Sequence, residues 1–328
     1  MELHPMWNNY PILQTELTET LHLMEDSVQL KNKDVEKAIF TMIHAGGKML
    51  RPAYQLLFST FGHETDRQKT IAIAASLEML HTATLIHDDI VDEADLRRGF
   101  PSLRSTFGNN IAVYAGDYLF VSCFKLLSTY SSSMKSLQIN SRSMEKILDG
   151  ELGQLDNRYN TDLTIENYLT AISGKTAELF ALSCSIGAYE SGTTKKFAEE
   201  AGKIGLAIGM AFQIMDDILD YTQSPDTLGK PVLEDVKQGV YSLPLLFAIQ
   251  ANRELLLPYL QKKEQITAEE QQVIFQSVHD LGGITAAQAL AHQYTTEALT
   301  RIKKLPATPT HTREQLAAIT SAILVREN

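Results

Sequence analysis

The sequence predicts an all-α protein, and three observations predict it. Glycine and proline are sparse, 18 and 10 among 328 residues. Stretches that alternate apolar and polar residues, as a half-buried strand would, are hard to find. Apolar residues instead recur at a spacing of three to four along nearly the whole chain, the period of a helix with one buried face. With 44% hydrophobic and 21% charged residues, the chain has ample material for a core.

Taken in order, the periodicity predicts helices over about 12–30, 34–45, 50–62, 68–92, 109–128, 141–156, 165–190, 194–221, 241–255, 267–281, 285–303 and 312–325. The breaks fall at Gly46-Gly47, Gly62, Arg98-Gly99-Phe100-Pro101, Ser131 to Ser133, Gly192, Ser224-Pro225, Gly229-Lys230-Pro231 and Pro306 to Pro309. Most of these carry glycine or proline, which punctuate helices. None is long or polar enough to act as a linker, and no period of about 20 to 50 residues repeats, so one domain over residues 1–328 is expected.

A net charge of −11 and a pI near 5.3 argue against nucleic acid or an anionic membrane as partners. A phosphate-bearing ligand must therefore be met by local cations or by metal. Cys123 and Cys184 sit in apolar helical surroundings without metal-ligand spacing and read as buried thiols of a reducing compartment. The N-terminal stretch is acidic early and lacks the order of a signal or transit peptide. No run approaches the roughly 18 apolar residues of a membrane span. The expectation is a cytoplasmic protein with no transmembrane segment.

One pattern occurs twice. Leu85-Ile86-His87-Asp88-Asp89-Ile90-Val91-Asp92 returns 128 residues later as Gln213-Ile214-Met215-Asp216-Asp217-Ile218-Leu219-Asp220. On a helix the first and last aspartates of each cluster lie about 40° apart, with the middle one at the edge of the same face. Carboxylates so close repel one another, the more so between apolar neighbours. They call for a cation. Hard oxygen ligands without histidine or cysteine favour Mg²⁺ or Mn²⁺, which binds one or two carboxylates and fills its shell with water and phosphate oxygens. A solvated acidic face would explain one such cluster; two in matching apolar frames read as a clamp for a diphosphate.

Cations stand beside these clusters. Arg97 and Arg98 follow the first, and guanidinium forks match diphosphate oxygens. Gly46-Gly47-Lys48-Met49-Leu50-Arg51-Pro52 places Lys48 and Arg51 three apart at the start of a helix, which suits a second diphosphate held without metal. Gly174-Lys175-Thr176 interrupts a helical stretch, Lys230 follows Asp220 by ten residues, His81 shares a face with Asp88, and Gln213 shares one with Asp216.

Together these residues resemble the trans-isoprenyl diphosphate synthases of the polyprenyl synthetase family, and most nearly its long-chain members such as the catalytic subunit of heptaprenyl diphosphate synthase. The likeness runs from about residue 35 to 325 and rests on Gly-Gly-Lys-x-x-Arg-Pro, His-Asp-Asp-x-x-Asp with Arg-Arg-Gly, Gly-Lys-Thr, Phe-Gln-x-x-Asp-Asp-x-x-Asp and Leu-Gly-Lys-Pro in family order. It implies a bundle of long helices around a central cavity, usually dimeric, that joins isopentenyl diphosphate to an allylic diphosphate. It further implies that Asp88, Asp92 and Asp216 bind a cluster of three Mg²⁺ ions, with Arg97, Lys175, Thr176, Gln213 and Lys230 on the allylic substrate. Asp89, Asp217 and Asp220 support them, and Lys48, Arg51, His81 and Arg98 form the isopentenyl diphosphate site. The catalytic set so implied is Asp88, Asp92, Lys175, Gln213 and Asp216. The partners implied are the two diphosphates and a second copy of the chain, with a dissimilar small subunit as a further possibility in such systems.

The chain departs from the pattern at Gly239-Val240-Tyr241-Ser242-Leu243-Pro244, where many relatives carry lysine at the position of Val240; Lys237 is a candidate replacement. In the family the growing chain runs past the residues one turn before the first cluster. Here these are Ala83 and Thr84, with Leu80, Leu77 and Ser76 deeper and no aromatic ring among them, so a product of six or more isoprene units is expected. A ring from Tyr114, Tyr118 or Phe120 would close that path and yield a short, farnesyl or geranylgeranyl, product. A terpene cyclase is disfavoured by the intact second cluster, and a non-catalytic partner subunit by both.

Overall fold

The computed structural model describes residues 3–45, 47–64, 66–222 and 234–324, and these are helical nearly throughout. After a short 3₁₀ turn at Pro5–Trp7 come α1 (Pro11–Asp26), α2 (Lys33–His44), α3 (Leu50–Ser59) and α4 (Arg67–Val91). Two dipeptide strands, Leu96–Arg97 and Phe100–Pro101, precede α5 (Leu103–Phe107) and α6 (Asn109–Tyr130). Then follow α7 (Met134–Asp156), α8 (Ile165–Ile172), a π-helical turn (Ser173–Ala177), α9 (Glu178–Glu190) and α10 (Lys195–Thr222). Beyond the segment not described lie Glu234–Lys237, Leu243–Ala251, Arg253–Leu260, Ala268–Asp280, Gly283–Lys303 and Thr312–Leu324.

The chain divides into two compact units, residues 1–141, 182–202 and 308–312 in one and 142–181, 203–307 and 313–328 in the other. Three of the boundaries fall inside α7, α9 and α10, where no linker composition marks them.

The first unit is built around α4. Asp66 caps its start by accepting from the Lys69 N–H at 3.1 Å. Consecutive residues from Thr70 to Leu80 are buried, so this stretch is covered on every side. Helix α6 approaches it through Ala112, Ala115 and Gly116; a Cβ on Gly116 would lie 2.3 Å from His87 Nε2, so a larger residue there would displace the imidazole from this position. The opposite face of α6 is open, with Tyr114 75% and Val121 65% exposed. By length and composition α6 alone among the described helices is apolar enough to cross a membrane, although 44% of its most apolar window is buried inside the protein.

The second unit packs Tyr168 and Ile172 of α8, Ile214, Ile218 and Tyr221 of α10 and Leu243 to Ile249 into one core. The π turn exists because two glycines meet: a Cβ on Gly150 would lie 2.3 Å from Lys175 N, and one on Gly174 would lie 2.7 Å from Lys146 O. This close crossing of α7 gives the interruption expected at Gly174 its physical cause.

Three expectations need correction. Residues 96–101 form a hairpin, because Arg98 (φ 52°) and Gly99 (φ 81°) both take the left-handed backbone of a tight two-residue turn. Helix α7 begins at Met134 rather than 141, directly after the serine run. The helix expected over 241–255 breaks at Asn252, whose extended backbone (φ −151°, ψ 85°) and side chain cap the next helix, accepting from Leu255 N at 3.2 Å.

Candidate active site

Both aspartate clusters lie at the C-terminal ends of long helices, α4 and α10. In each, the middle aspartate is buried and engaged by protein donors, Asp89 at 1% exposure and Asp217 at 8%, while the outer ones are more open. Asp88, Asp92 and Asp220 are half-buried and Asp216 is exposed.

Asp89 accepts from Arg97 Nε at 2.7 Å, and Arg97 Nη2 donates to the same oxygen. Burial pushes the Asp89 carboxyl up, and the guanidinium opposes that shift. The hairpin returns Arg97 to the end of α4. Its turn residue Arg98 rests against Gly47, where a Cβ would lie 2.7 Å from Arg98 Nη1.

Lys48 stands just before α3, and its carbonyl accepts from Trp7 Nε1 at 2.9 Å, which pins the loop to a fully buried indole. Arg51 lies in the first turn of α3, and burial pushes its guanidinium down to about 10, with Glu78 opposing and Arg98 assisting. Glu78 is buried on α4 and raised by desolvation against the pull of Arg51 and Arg98. His81, one turn further, is held well below its usual value by burial and then by Arg51, Arg98 and Arg97, so it is neutral at physiological pH. The structure thus groups Arg51, Arg98 and His81 in one electrostatic neighbourhood with Lys48 on the adjoining loop.

In the second unit, Lys175 Nζ donates to Gln154 Oε1 at 2.7 Å and pairs with Glu151 Oε2 at 2.7 Å. Thr176 Oγ1 donates to Gln213 Oε1 at 2.7 Å, and Gln213 Nε2 donates to Asp217 Oδ1 at 2.9 Å. Asp217 Oδ2 accepts from Tyr168 OH at 2.5 Å and from Leu243 N at 3.1 Å. Burial pushes Asp217 up to about 7 despite these donors. A cavity of about 100 Å³ is lined by Lys175, Gln213, Asp217, Val240 and Tyr241 among others, so Val240 does stand at this site. Lys230 lies outside the described residues.

Trp7, Glu78, Glu151, Gln154 and Tyr168 went unread in the sequence. Glu151 and Gln154 had a signal: a polar pair three apart on one face of α7, interleaved with Gly150 and Gly153. Along α4, Ala83 is completely buried while Thr84 is half-buried. The open stripe beneath Asp88 therefore runs through Thr84 and His81, and the stripe of Ala83, Leu80, Leu77 and Ser76 is packed core. Tyr114 points to the surface, Tyr118 exchanges hydrogen bonds with the Gln29 backbone, and Phe120 stacks on His87.

Among the described residues no three acidic, histidine or cysteine side chains converge as a ready metal cage. The carboxylate set still fits Mg²⁺, which binds through one or two carboxylates and substrate phosphates rather than an all-protein shell.

The sequence profile of the polyprenyl synthetase family matches residues 32–278. Heptaprenyl diphosphate synthase component 2 of Bacillus subtilis is 34% identical over 96% of this chain and 89% of its own. Octaprenyl diphosphate synthase of Escherichia coli is 32% identical over 88% of each. Among solved structures, geranylgeranyl pyrophosphate synthase of Lactobacillus brevis superposes with a TM-score of 0.94 at 39% identity, covering 98% of this chain and 99% of its own. Heptaprenyl diphosphate synthase of Staphylococcus aureus gives 0.88 at 31%, covering 96% and 99%.

Proposed function

The chain belongs to the polyprenyl synthetase family, and from that premise we propose that it is a magnesium-dependent trans-prenyltransferase making a long-chain polyprenyl diphosphate. The observation that carries this reading is the burial pattern repeated in both clusters, where the middle carboxylate is buried and the outer ones are more exposed. Asp88, Asp92 and Asp216 hold Mg²⁺, which supplies charge neutralisation for the departing diphosphate. Arg97, Lys175, Thr176, Gln213 and Lys230 orient the allylic substrate; Lys48, Arg51, His81 and Arg98 hold isopentenyl diphosphate. The allylic C–O bond breaks, the isopentenyl double bond attacks the resulting carbocation, and the proton lost in restoring the alkene goes to the released diphosphate. A neutral His81 serves as a hydrogen-bonding group there, not as a cation.

Incubating the purified chain with Mg²⁺, labelled isopentenyl diphosphate and an allylic primer, then sizing dephosphorylated products, should show six or more isoprene units. Products stopping at geranylgeranyl length would favour the short-chain reading, to which the Lactobacillus brevis likeness lends support. Because the open stripe passes Thr84, Thr84→Phe should shorten the product, whereas Ala83→Phe should overpack the core at about 1–3 kcal/mol. An unchanged product in Thr84→Phe places the growing chain along another face. Arg51→Ala should raise KM for isopentenyl diphosphate far more than for the primer; an equal rise in both would show that the sites are wrongly divided.

The chain acts in the cytoplasm as a homodimer, and the dimer is the part supported by the open apolar face of α6, with Tyr114, Val121 and Phe124 exposed. Sedimentation should give a dimer that Val121→Glu weakens. A monomer active only with cell extract would instead indicate a dissimilar subunit, in keeping with the "component 2" of its Bacillus relative's name.

A further inference from the structure

Tyr168 lies on α8, 7% exposed, in the core shared by α8, α10 and the helix Leu243–Ala251. Its hydroxyl is the shortest of three donors on Asp217, at 2.5 Å, beside Gln213 Nε2 at 2.9 Å and the Leu243 N–H at 3.1 Å. We propose that Tyr168 is a positioning residue for the condensation, acting through Asp217 and Gln213 to set which way the Thr176 hydroxyl points.

The argument follows from donor and acceptor counts. A carboxylate only accepts, and a primary amide has one accepting end and one donating end. Facing the ionised form of Asp217, Gln213 presents Nε2 at 2.9 Å, which turns Oε1 toward Thr176. An accepting Oε1 commits the Thr176 proton inward, at 2.7 Å. The Thr176 oxygen is then left with lone pairs for everything else, and an oxygen dipole of that sense stabilises positive charge developing on an allylic carbon.

Asp217 must stay in place and keep accepting for this chain to hold. Leu243 is the first residue of its helix, and its N–H is one of the donors that a helix leaves unpaired, so Asp217 is tied to the helix start. Ser242, which occupies the capping position, directs its hydroxyl to Tyr221 OH at 3.2 Å instead. Tyr168 secures the same oxygen from α8. Burial first, and Asp217 second, hold its phenol well above the usual tyrosine value, so it remains a donor. Removing that hydroxyl leaves Asp217 on the backbone N–H and Gln213 alone, free to pivot about the helix start.

The inference rests on the prenyltransferase reading above, and the test separates the two. Tyr168→Phe keeps the ring in its core and removes only the hydroxyl. With wild-type chain, Mg²⁺, labelled isopentenyl diphosphate and geranyl diphosphate, the variant should lose about tenfold in kcat, with KM for isopentenyl diphosphate unchanged. Thr176→Val should lose at least as much, and in that background Tyr168→Phe should cost nothing further. Thermal unfolding of each variant confirms that it is folded. If Tyr168→Phe falls short of a stable fold, Gln213→Ala with and without Thr176→Val reads the same relay one link further in, and additive losses there overturn it. A wild-type kcat in Tyr168→Phe, or a loss that adds in full to that of Thr176→Val, overturns the inference while the wild-type incorporation stands. No incorporation by the wild-type chain overturns the prenyltransferase reading itself.

Discussion

Asp89 and Asp217 occupy the same place in two copies of one pattern, and both are buried, yet they are stabilised in opposite ways. Asp89 faces one cation, Arg97, whose side chain is 30% exposed. Asp217 faces a phenol, an amide and a backbone N–H, all neutral. A buried carboxylate stays ionised when a countercharge or enough hydrogen bonds replace its lost hydration. Dipoles alone leave Asp217 raised to about 7 beside Asp216, while Asp89 has a guanidinium to offset its burial. A repeated sequence pattern thus repeats geometry without repeating electrostatics, because the surroundings of each copy decide the charge balance.

The largest effect expected from this comparison separates outer from middle aspartates. Asp88→Asn and Asp216→Asn should each lower turnover at least ~100-fold, a loss of order 3 kcal/mol in transition-state stabilisation. Asp89→Asn should lose less, because it acts through Arg97. Steady-state kinetics on folded variants check this, and equal losses at Asp88 and Asp89 would erase the distinction.

Stability should order the middle pair. Asp217→Ala strands the Tyr168 hydroxyl and the Leu243 N–H in a buried site, at a cost of about 1–3 kcal/mol for each unsatisfied group. Asp89→Ala strands only Arg97, whose partly exposed head can turn to water, so the loss should be smaller. Urea unfolding of both variants decides the order; a larger loss at Asp89 would mean that Arg97 is locked in place by more than this one contact.

The helical class was legible because most helices bury one face and keep the period, and the two clusters were legible because their acids stand in apolar frames. What escaped depends on contacts distant in sequence. Tyr168 reaches Asp217 across 49 residues and Trp7 reaches Lys48 across 41, and nothing local marks either. The hairpin at Leu96–Pro101 was hidden for another reason: its strands are two residues each, too short to show alternation, although Arg98-Gly99 is a fair turn signal. Ala83 and Thr84 show the limit of face assignment. Adjacent residues differ by about 100° on a helix, and only the packing of α6 and its neighbours determines which of the two looks into the core.

A pH dependence sharpens the contrast further, because its sign follows from neutral partners. In metal-free protein Asp217 titrates at about 7 when folded, against 3.8 for an ordinary aspartate. Between those values the folded chain holds a proton that the unfolded chain has released. Stability contributed by this group is therefore full below about 4 and falls as pH rises toward 7, with a slope of at most about 1.4 kcal/mol per pH unit. Asp89 contributes with the same sign, being raised also, with Arg97 acting against the shift. Urea unfolding in the presence of a chelator, for wild type and Asp217→Asn, isolates the effect. The variant removes the titrating group while keeping its shape, so the wild-type advantage over it should shrink steadily from about pH 4 to about pH 7. An advantage that is flat across that window would mean that Asp217 is already ionised throughout, and that three neutral donors serve it as well as a cation serves Asp89.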